Sequence, residues 1–120
     1  MQRYTELKVW ERSHALVLRI YRLSRAFPTE ERFGLTSQVR RAATSVPGNI
    51  AEGSKCVSNL EFARFLNIAE RSLAEADYYL LLARDLQFVG EADVGPLRTE
   101  ADEIARMLHT LRTKVEQDAR

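Results

Sequence analysis

An all-α fold, an antiparallel up-down four-helix bundle, is what the sequence predicts, and three observations predict it. Apolar residues recur at three- and four-residue spacing in four separate stretches. The connections between the stretches are short, and no run shows the strict apolar-polar alternation of a half-buried strand. At 120 residues the chain matches the commonest domain size, about 100 to 150 residues. Residues 1–120 are therefore expected to form one domain, with helices over about 8–27, 35–53, 59–88 and 96–117.

In the first stretch Val9, Leu16, Ile20, Leu23 and Phe27 mark one helical face, widened by Trp10, Val17 and Tyr21. Pro28 disfavours the helical conformation in the residue before it, so the helix is expected to stop at Phe27. Arg12, Arg19 and Arg22 project from the opposite side, with Ala15 and Ala26 between them. Leu18 also points away from the core stripe.

The second stretch places Leu35, Val39, Ala42, Ala43, Val46 and Ile50 on one face. Its Ala, Ser and Gly content lets a neighbouring backbone come close. Pro47 lacks a backbone N–H, so a bend or interruption is expected there.

Ser58-Asn59-Leu60-Glu61 has the form of a capping box and is expected to open the third helix. The core stripe of that helix is Phe62, Phe65, Leu66, Ala69, Leu73, Ala76, Leu80 and Ala83, and Gly90 is suited to a left-handed C-terminal cap. At 100° per residue, Ile68, Tyr79, Leu82 and Leu86 fall on a second apolar stripe. One bundle covers only one side of a helix, so these four residues, with Leu18 as a complement, are expected to form a subunit interface. Gly95-Pro96 is expected to start the fourth helix, whose seam is Leu97, Ala101, Ile104, Leu108, Leu111 and Val115.

Composition narrows the functional classes. Hydrophobic residues make up 45% and charged residues 29%, too apolar for a disordered chain. The single cysteine, Cys56, rules out an intrachain disulfide and fits a reducing cytoplasm. No apolar run approaches the roughly 20 residues that span a bilayer, so neither export nor a membrane partner is expected. Net charge is +1, but residues 1–58 carry ten Lys/Arg against five Asp/Glu, and residues 59–120 carry eight against twelve. Such asymmetry marks an anion-binding face or orients neighbouring helices and subunits. Fifteen of the eighteen basic residues are Arg, the side chain better suited to bidentate phosphate contacts.

The segment Gly34-Leu35-Thr36-Ser37-Gln38-Val39-Arg40-Arg41-Ala42-Ala43-Thr44-Ser45-Val46-Pro47-Gly48-Asn49-Ile50-Ala51-Glu52-Gly53 closely resembles the signature of the 23S rRNA intervening-sequence proteins, a four-helix-bundle family. Leu7-Lys8-Val9-Trp10, Phe27-Pro28-Thr29-Glu30-Glu31-Arg32-Phe33-Gly34 and Glu61-Phe62-Ala63-Arg64-Phe65-Leu66 extend the resemblance to roughly residues 6–90. Val46 and Gly48 are slight departures. The signature residues singled out are Gln38, Arg40, Arg41, Pro47, Asn49, Glu52 and Gly53. The resemblance implies a bacterial protein that assembles as a ring-like homo-oligomer, a homopentamer. Some members are labelled S23-like without a settled ribosomal role. A related accessory protein of diversity-generating retroelements binds nucleic acid and a reverse transcriptase, which implies RNA, DNA or such an enzyme as partners.

Residues capable of chemistry are sparse. His14 and His109 lie on different helices and neither belongs to a His-x-x-x-His pair, so no metal or other cofactor is expected. No phosphate-cradling loop, nucleophile elbow or carboxylate pair is present. Glu52 is expected to pair with Arg40, Arg41 or a neighbouring chain. Tyr4, Trp10, Tyr21 and Phe27 lie on or beside the core stripe, where packing outweighs base stacking. Arg12, Arg19, Arg22, Arg40 and Arg41 are the candidate nucleic-acid contacts, since repeated around an oligomer they neutralise many phosphates. The expected function is thus a non-enzymatic, nucleic-acid-associated accessory protein; the alternative is an oligomeric structural or protein-docking scaffold without nucleic-acid binding.

Overall fold

The computed structural model describes residues 3–119. Four helices make up the fold: α1 (Lys8–Ser24), α2 (Leu35–Gly53), α3 (Asn59–Asp85) and α4 (Glu91–Asp118). Short 3₁₀ turns at Tyr4–Glu6 and Thr29–Glu31 precede α1 and α2. Among the described residues there is no strand. Each helix packs on two neighbours in the cyclic order α1, α2, α3, α4, and no diagonal pair is in contact. Short connections then make successive helices antiparallel, giving an up-down bundle of 47 × 24 × 20 Å. Among the described residues no helix is long and apolar enough to cross a membrane.

The core follows most of the stripes read from the periodicity, with Val94 added and with Leu23, Phe62, Phe65 and Leu111 only half-buried. Ile20, Val39, Ile50, Leu66, Leu80, Val94, Ile104 and Leu108 are completely buried, each helix contributing. α2 and α3 approach most closely because small side chains face each other. Ala42 and Ala43 of α2 are buried with Ala69 and Ala76 of α3, and the Ser45 and Ser72 hydroxyls meet at 2.8 Å. Asn49 Nδ2 donates to the Ser45 carbonyl at 2.7 Å and to its hydroxyl at 2.9 Å.

Several boundaries differ from the sequence expectation, each for a local reason. α1 ends at Ser24 rather than Phe27, because Arg25, Ala26 and Phe27 switch to bonds three residues back, onto Arg22, Leu23 and Ser24. Phe27 is nevertheless buried, its ring 5.9 Å from that of Phe88. α2 continues as one α-helix through the buried Pro47. α3 stops at Asp85 instead of residue 88, and its left-handed cap is Gln87 (φ 63°), not Gly90. Phe88 N–H closes that cap onto the Ala83 carbonyl at 3.0 Å. Gly90, with extended φ −91° and ψ 163°, is instead the N-cap of α4, which starts at Glu91 rather than residue 96. Glu91 and Asp93 favour the positive end of the helix dipole, and burial of Val94 rewards the extra turn. Pro96 is carried within α4. At the start of α3 the Ser58 hydroxyl accepts the Glu61 N–H at 3.2 Å, the hydroxyl half of the expected capping box.

Candidate nucleic-acid interface

The cations divide into those held by the fold and those left to solvent. Arg12 leans from α1 onto α4, where Nε and Nη2 clamp the two Glu100 oxygens at 3.0 and 2.6 Å, and it also pairs with Glu103 and reaches Met107 Sδ at 3.4 Å. Its hydrogen bonds hold the Glu100 carboxyl below the usual range, while the carboxylates push the Arg12 guanidinium up. Arg41 pairs with Glu75 of α3 and binds Gln38 Oε1 at 3.0 Å. Glu75 also accepts the Tyr79 hydroxyl at 2.8 Å, and these two donors, Tyr79 first, hold its carboxyl low. Arg40 reaches from α2 to α1, donating to Ser24 Oγ at 2.8 Å and the Tyr21 carbonyl at 3.3 Å with its guanidinium 4.5 Å over the Tyr21 ring.

Pairing of the same kind neutralises most of the acidic half. Arg98 pairs with Asp77 at 2.9 Å, Arg84 with Asp85 and Glu91, Arg106 with Asp102, and Arg112 with Glu70 and Glu116. By contrast Lys8, Arg19, Arg22, Arg25, Arg32 and Arg40, and with them Arg3, Lys55, Arg64, Arg71 and Lys114, have no carboxylate within salt-bridge distance among the described residues. Most of them lie on α1, the α1–α2 connection and the start of α2, while Arg64 and Arg71 lie on α3 and Lys114 on α4. Arg19 and Arg22 line a groove of about 540 Å³ between α1 and α4 together with Leu23, Ala26, Asp93, Pro96 and Leu97. Arg19 lies close enough to Glu100 to add to the lowering of that carboxyl.

The candidate arginines therefore do not act as one set. Arg19 and Arg22 line one groove and make no salt bridge, whereas Arg12 and Arg41 are tied into inter-helix ion pairs and Arg40 buttresses the end of α1. Of the candidate interface residues, Leu18 and Leu86 are 46% and 49% exposed. Ile68 is half-buried, and Tyr79 and Leu82 pack partly against the core. Tyr78, outside the expected stripe, is 54% exposed.

The signature segment is mainly a packing device. Gln38 receives Arg41, Asn49 bonds Ser45, Pro47 is buried, and Gly53 lies against Phe65 and Phe62 of α3. Glu52 is exposed and does not meet Arg40 or Arg41. Eleven or twelve residues along one helix separate them by about 16 to 18 Å.

His14 stacks on Trp10 at 5.0 Å and 8°, and His109 lies 3.2 Å from Arg112. Burial, with Glu61 and Glu52 nearby, pushes the Cys56 thiol up, the reverse of nucleophile activation. Among the described residues no group of three His, Cys, Asp or Glu is placed to hold a metal ion.

Phe33, Arg32 and Arg25 were not among the residues that periodicity singled out. Phe33 is 83% exposed with the Arg32 guanidinium 4.7 Å over its ring. Tyr21 is 38% exposed rather than packed in the stripe. The signal for Phe33 was an Arg-Phe pair in a connection, where no core stripe accounts for an aromatic ring.

A family model described as 23S rRNA-intervening sequence protein matches residues 5–110. A solved structure of a protein of unknown function from the S23 ribosomal protein family of Bacteroides thetaiotaomicron is similar with a TM-score of 0.78 and 24% identity, over 87% of this chain and 97% of that one. That likeness speaks for the fold. No curated protein matches the chain.

Proposed function

The chain belongs to the 23S rRNA-intervening sequence protein family, and from that membership together with its charge distribution we propose that it is a non-enzymatic, cytoplasmic accessory protein that associates with RNA or DNA. The observation that carries this reading is the uneven spread of unpaired cations, most of which lie before α3. The acidic residues of α3 and α4 are largely taken up by Arg partners, while Arg19, Arg22, Arg25 and Arg32 face solvent without one. A cluster of guanidinium groups unneutralised by its own chain raises the local concentration of polyanions and gains from counterion release on binding them. Recognition of this kind is electrostatic and tolerant of sequence.

Self-association belongs to the same proposal, with five subunits as the family resemblance implies. Leu18, Tyr78 and Leu86 leave apolar surface in water, and several copies of the cationic face would act together on one polymer. A reverse transcriptase is a candidate protein partner on the same resemblance. The test is a titration against structured rRNA and duplex DNA at two salt concentrations. Affinity that falls steeply with salt is the expected result. Absence of binding at low salt would leave the second reading, an oligomeric docking scaffold, which the exposed apolar residues also favour.

A further inference from the structure

We propose that the α1–α2 connection is a stacking site for an unpaired nucleobase, with Phe33 as the platform and Arg32 as its cationic backing. The inference rests on nucleic-acid association and specifies the form of nucleic acid that this part of the surface takes.

Phe33 is the most exposed aromatic ring among the described residues, at 83%. With that much surface in water, Arg32 at 4.7 Å from the ring centroid covers at most one face. The open face is held out by an ordered backbone. Glu31 N–H bonds the Pro28 carbonyl at 2.9 Å, Arg32 N–H that of Thr29 at 3.1 Å and Gly34 N–H that of Glu31 at 2.9 Å. Glu31 Oε1 then accepts the first free N–H of α2, that of Leu35, at 2.9 Å, and Leu35 is buried. Gly34 completes the turn, since a Cβ there would lie 2.7 Å from Glu31 Oε1. The backbone beneath the ring is thus already fixed, so that meeting a ligand costs side-chain freedom and little backbone freedom.

The charge around the ring suits a phosphodiester chain. Arg32 and Arg25 lie in the same connection without carboxylate partners, and Glu31 is committed to the N-terminus of α2, leaving Glu30 as the nearby free acid. A second aromatic-cation pair, Tyr21 with Arg40 at 4.5 Å, sits on the adjoining ends of α1 and α2. Arg40 is five residues into α2, about 7.5 Å along its axis from Leu35. Alternating ring faces and guanidinium groups are what a single strand requires, because its bases offer π-faces that a duplex keeps stacked within itself.

The test compares poly(rU) with the poly(rA)·poly(rU) duplex at one low salt concentration, using the full chain and its Phe33→Ala and Phe33→Trp variants. Phe33 is exposed, so both variants should keep the wild-type helical circular dichroism. Phe33→Ala is expected to weaken poly(rU) binding about fivefold or more while leaving duplex binding within about twofold. Phe33→Trp should retain poly(rU) binding and add a fluorescence that poly(rU) quenches, with wild type, which carries Trp10 alone, as the reference. Equal loss on both polymers, or no loss on either, would overturn the stacking site and leave electrostatic association standing. If the wild type binds neither polymer, association itself fails and the stacking site with it.

Discussion

Two glycines of α2 should respond in opposite directions to the same added methyl group. A Cβ at exposed Gly48 would meet nothing within 4 Å. Gly48→Ala therefore removes backbone entropy from the unfolded chain without a clash, and is expected to stabilise the fold by about 0.5 to 1 kcal/mol. A Cβ at Gly53 would lie 2.6 Å from Phe65 Cβ and 2.9 Å from Phe62 Cδ1. The Phe62 ring can turn aside, but Phe65 Cβ is bonded to the backbone, so α2 and α3 themselves would have to part. Ordinary contact begins at 3.4 Å, which requires a separation of about 0.8 Å, an over-packing that costs about 1 to 3 kcal/mol. The helix-propensity gain offsets part of this, less at the final residue of a helix, leaving a net loss of about 1 to 2 kcal/mol. Urea unfolding followed by circular dichroism, at one protein concentration, reads both changes as shifts of midpoint at constant slope. If Gly53→Ala stabilises as Gly48→Ala does, the close α2–α3 contact at Gly53 is wrong.

Arg12→Gln should cost stability without affecting nucleic-acid binding. It breaks a bidentate clamp on Glu100, whose side chain is only 20% exposed, worth about 1 to 2 kcal/mol; a reduced salt slope with unchanged melting would reverse that assignment. Stability should also fall in acid. The Glu100 and Glu75 carboxyls lie below their ordinary value of 4.5 in the folded chain, so their stabilisation is complete above about pH 4.5 and is lost as pH falls through the depressed values. Arg12→Gln should flatten the Glu100 part of that decline, and an equally steep decline in the variant would count against the clamp. For assembly, size exclusion with light scattering should give a mass several times 13.8 kDa, and Leu18→Glu or Leu86→Glu should reduce it while helicity is kept. A wild-type monomer at micromolar concentration would reject the oligomer.

Elements governed by periodicity were legible in the sequence, and those governed by contacts between helices were not. The stripes Val39-Val46-Ile50 and Leu66-Leu73-Leu80 follow from 3.6-residue spacing, and both are buried. Helix ends were harder, because they depend on which backbone groups find partners. Gln87 takes the left-handed cap that glycine statistics would give to Gly90, and Val94 draws α4 back across Pro96. The candidate site was readable only as a charge imbalance. A helical wheel places Arg12, Arg19 and Arg22 on one side, but whether Glu100 of a distant helix takes one of them is a matter of tertiary packing. The second α3 stripe shows the same limit, since Tyr79 and Leu82 fold partly back onto the core. Phe33 was passed over because a connection has no period against which to judge a residue, and its signal was only the neighbouring Arg32.

Salt dependence of binding decides whether the cations left unpaired on α1 and the α1–α2 connection meet nucleic acid. The wild type should bind duplex DNA or structured rRNA with an affinity that falls linearly on logarithmic axes, by about 0.9 in slope for each duplex phosphate met. Replacing Arg19, Arg22, Arg25 and Arg32 with Gln should leave folding intact and reduce that slope by about 1 for each arginine that meets a phosphate. An unaltered slope in the quadruple variant would put the contact elsewhere on the surface, and a wild type that binds neither polymer at low salt would rule out electrostatic association.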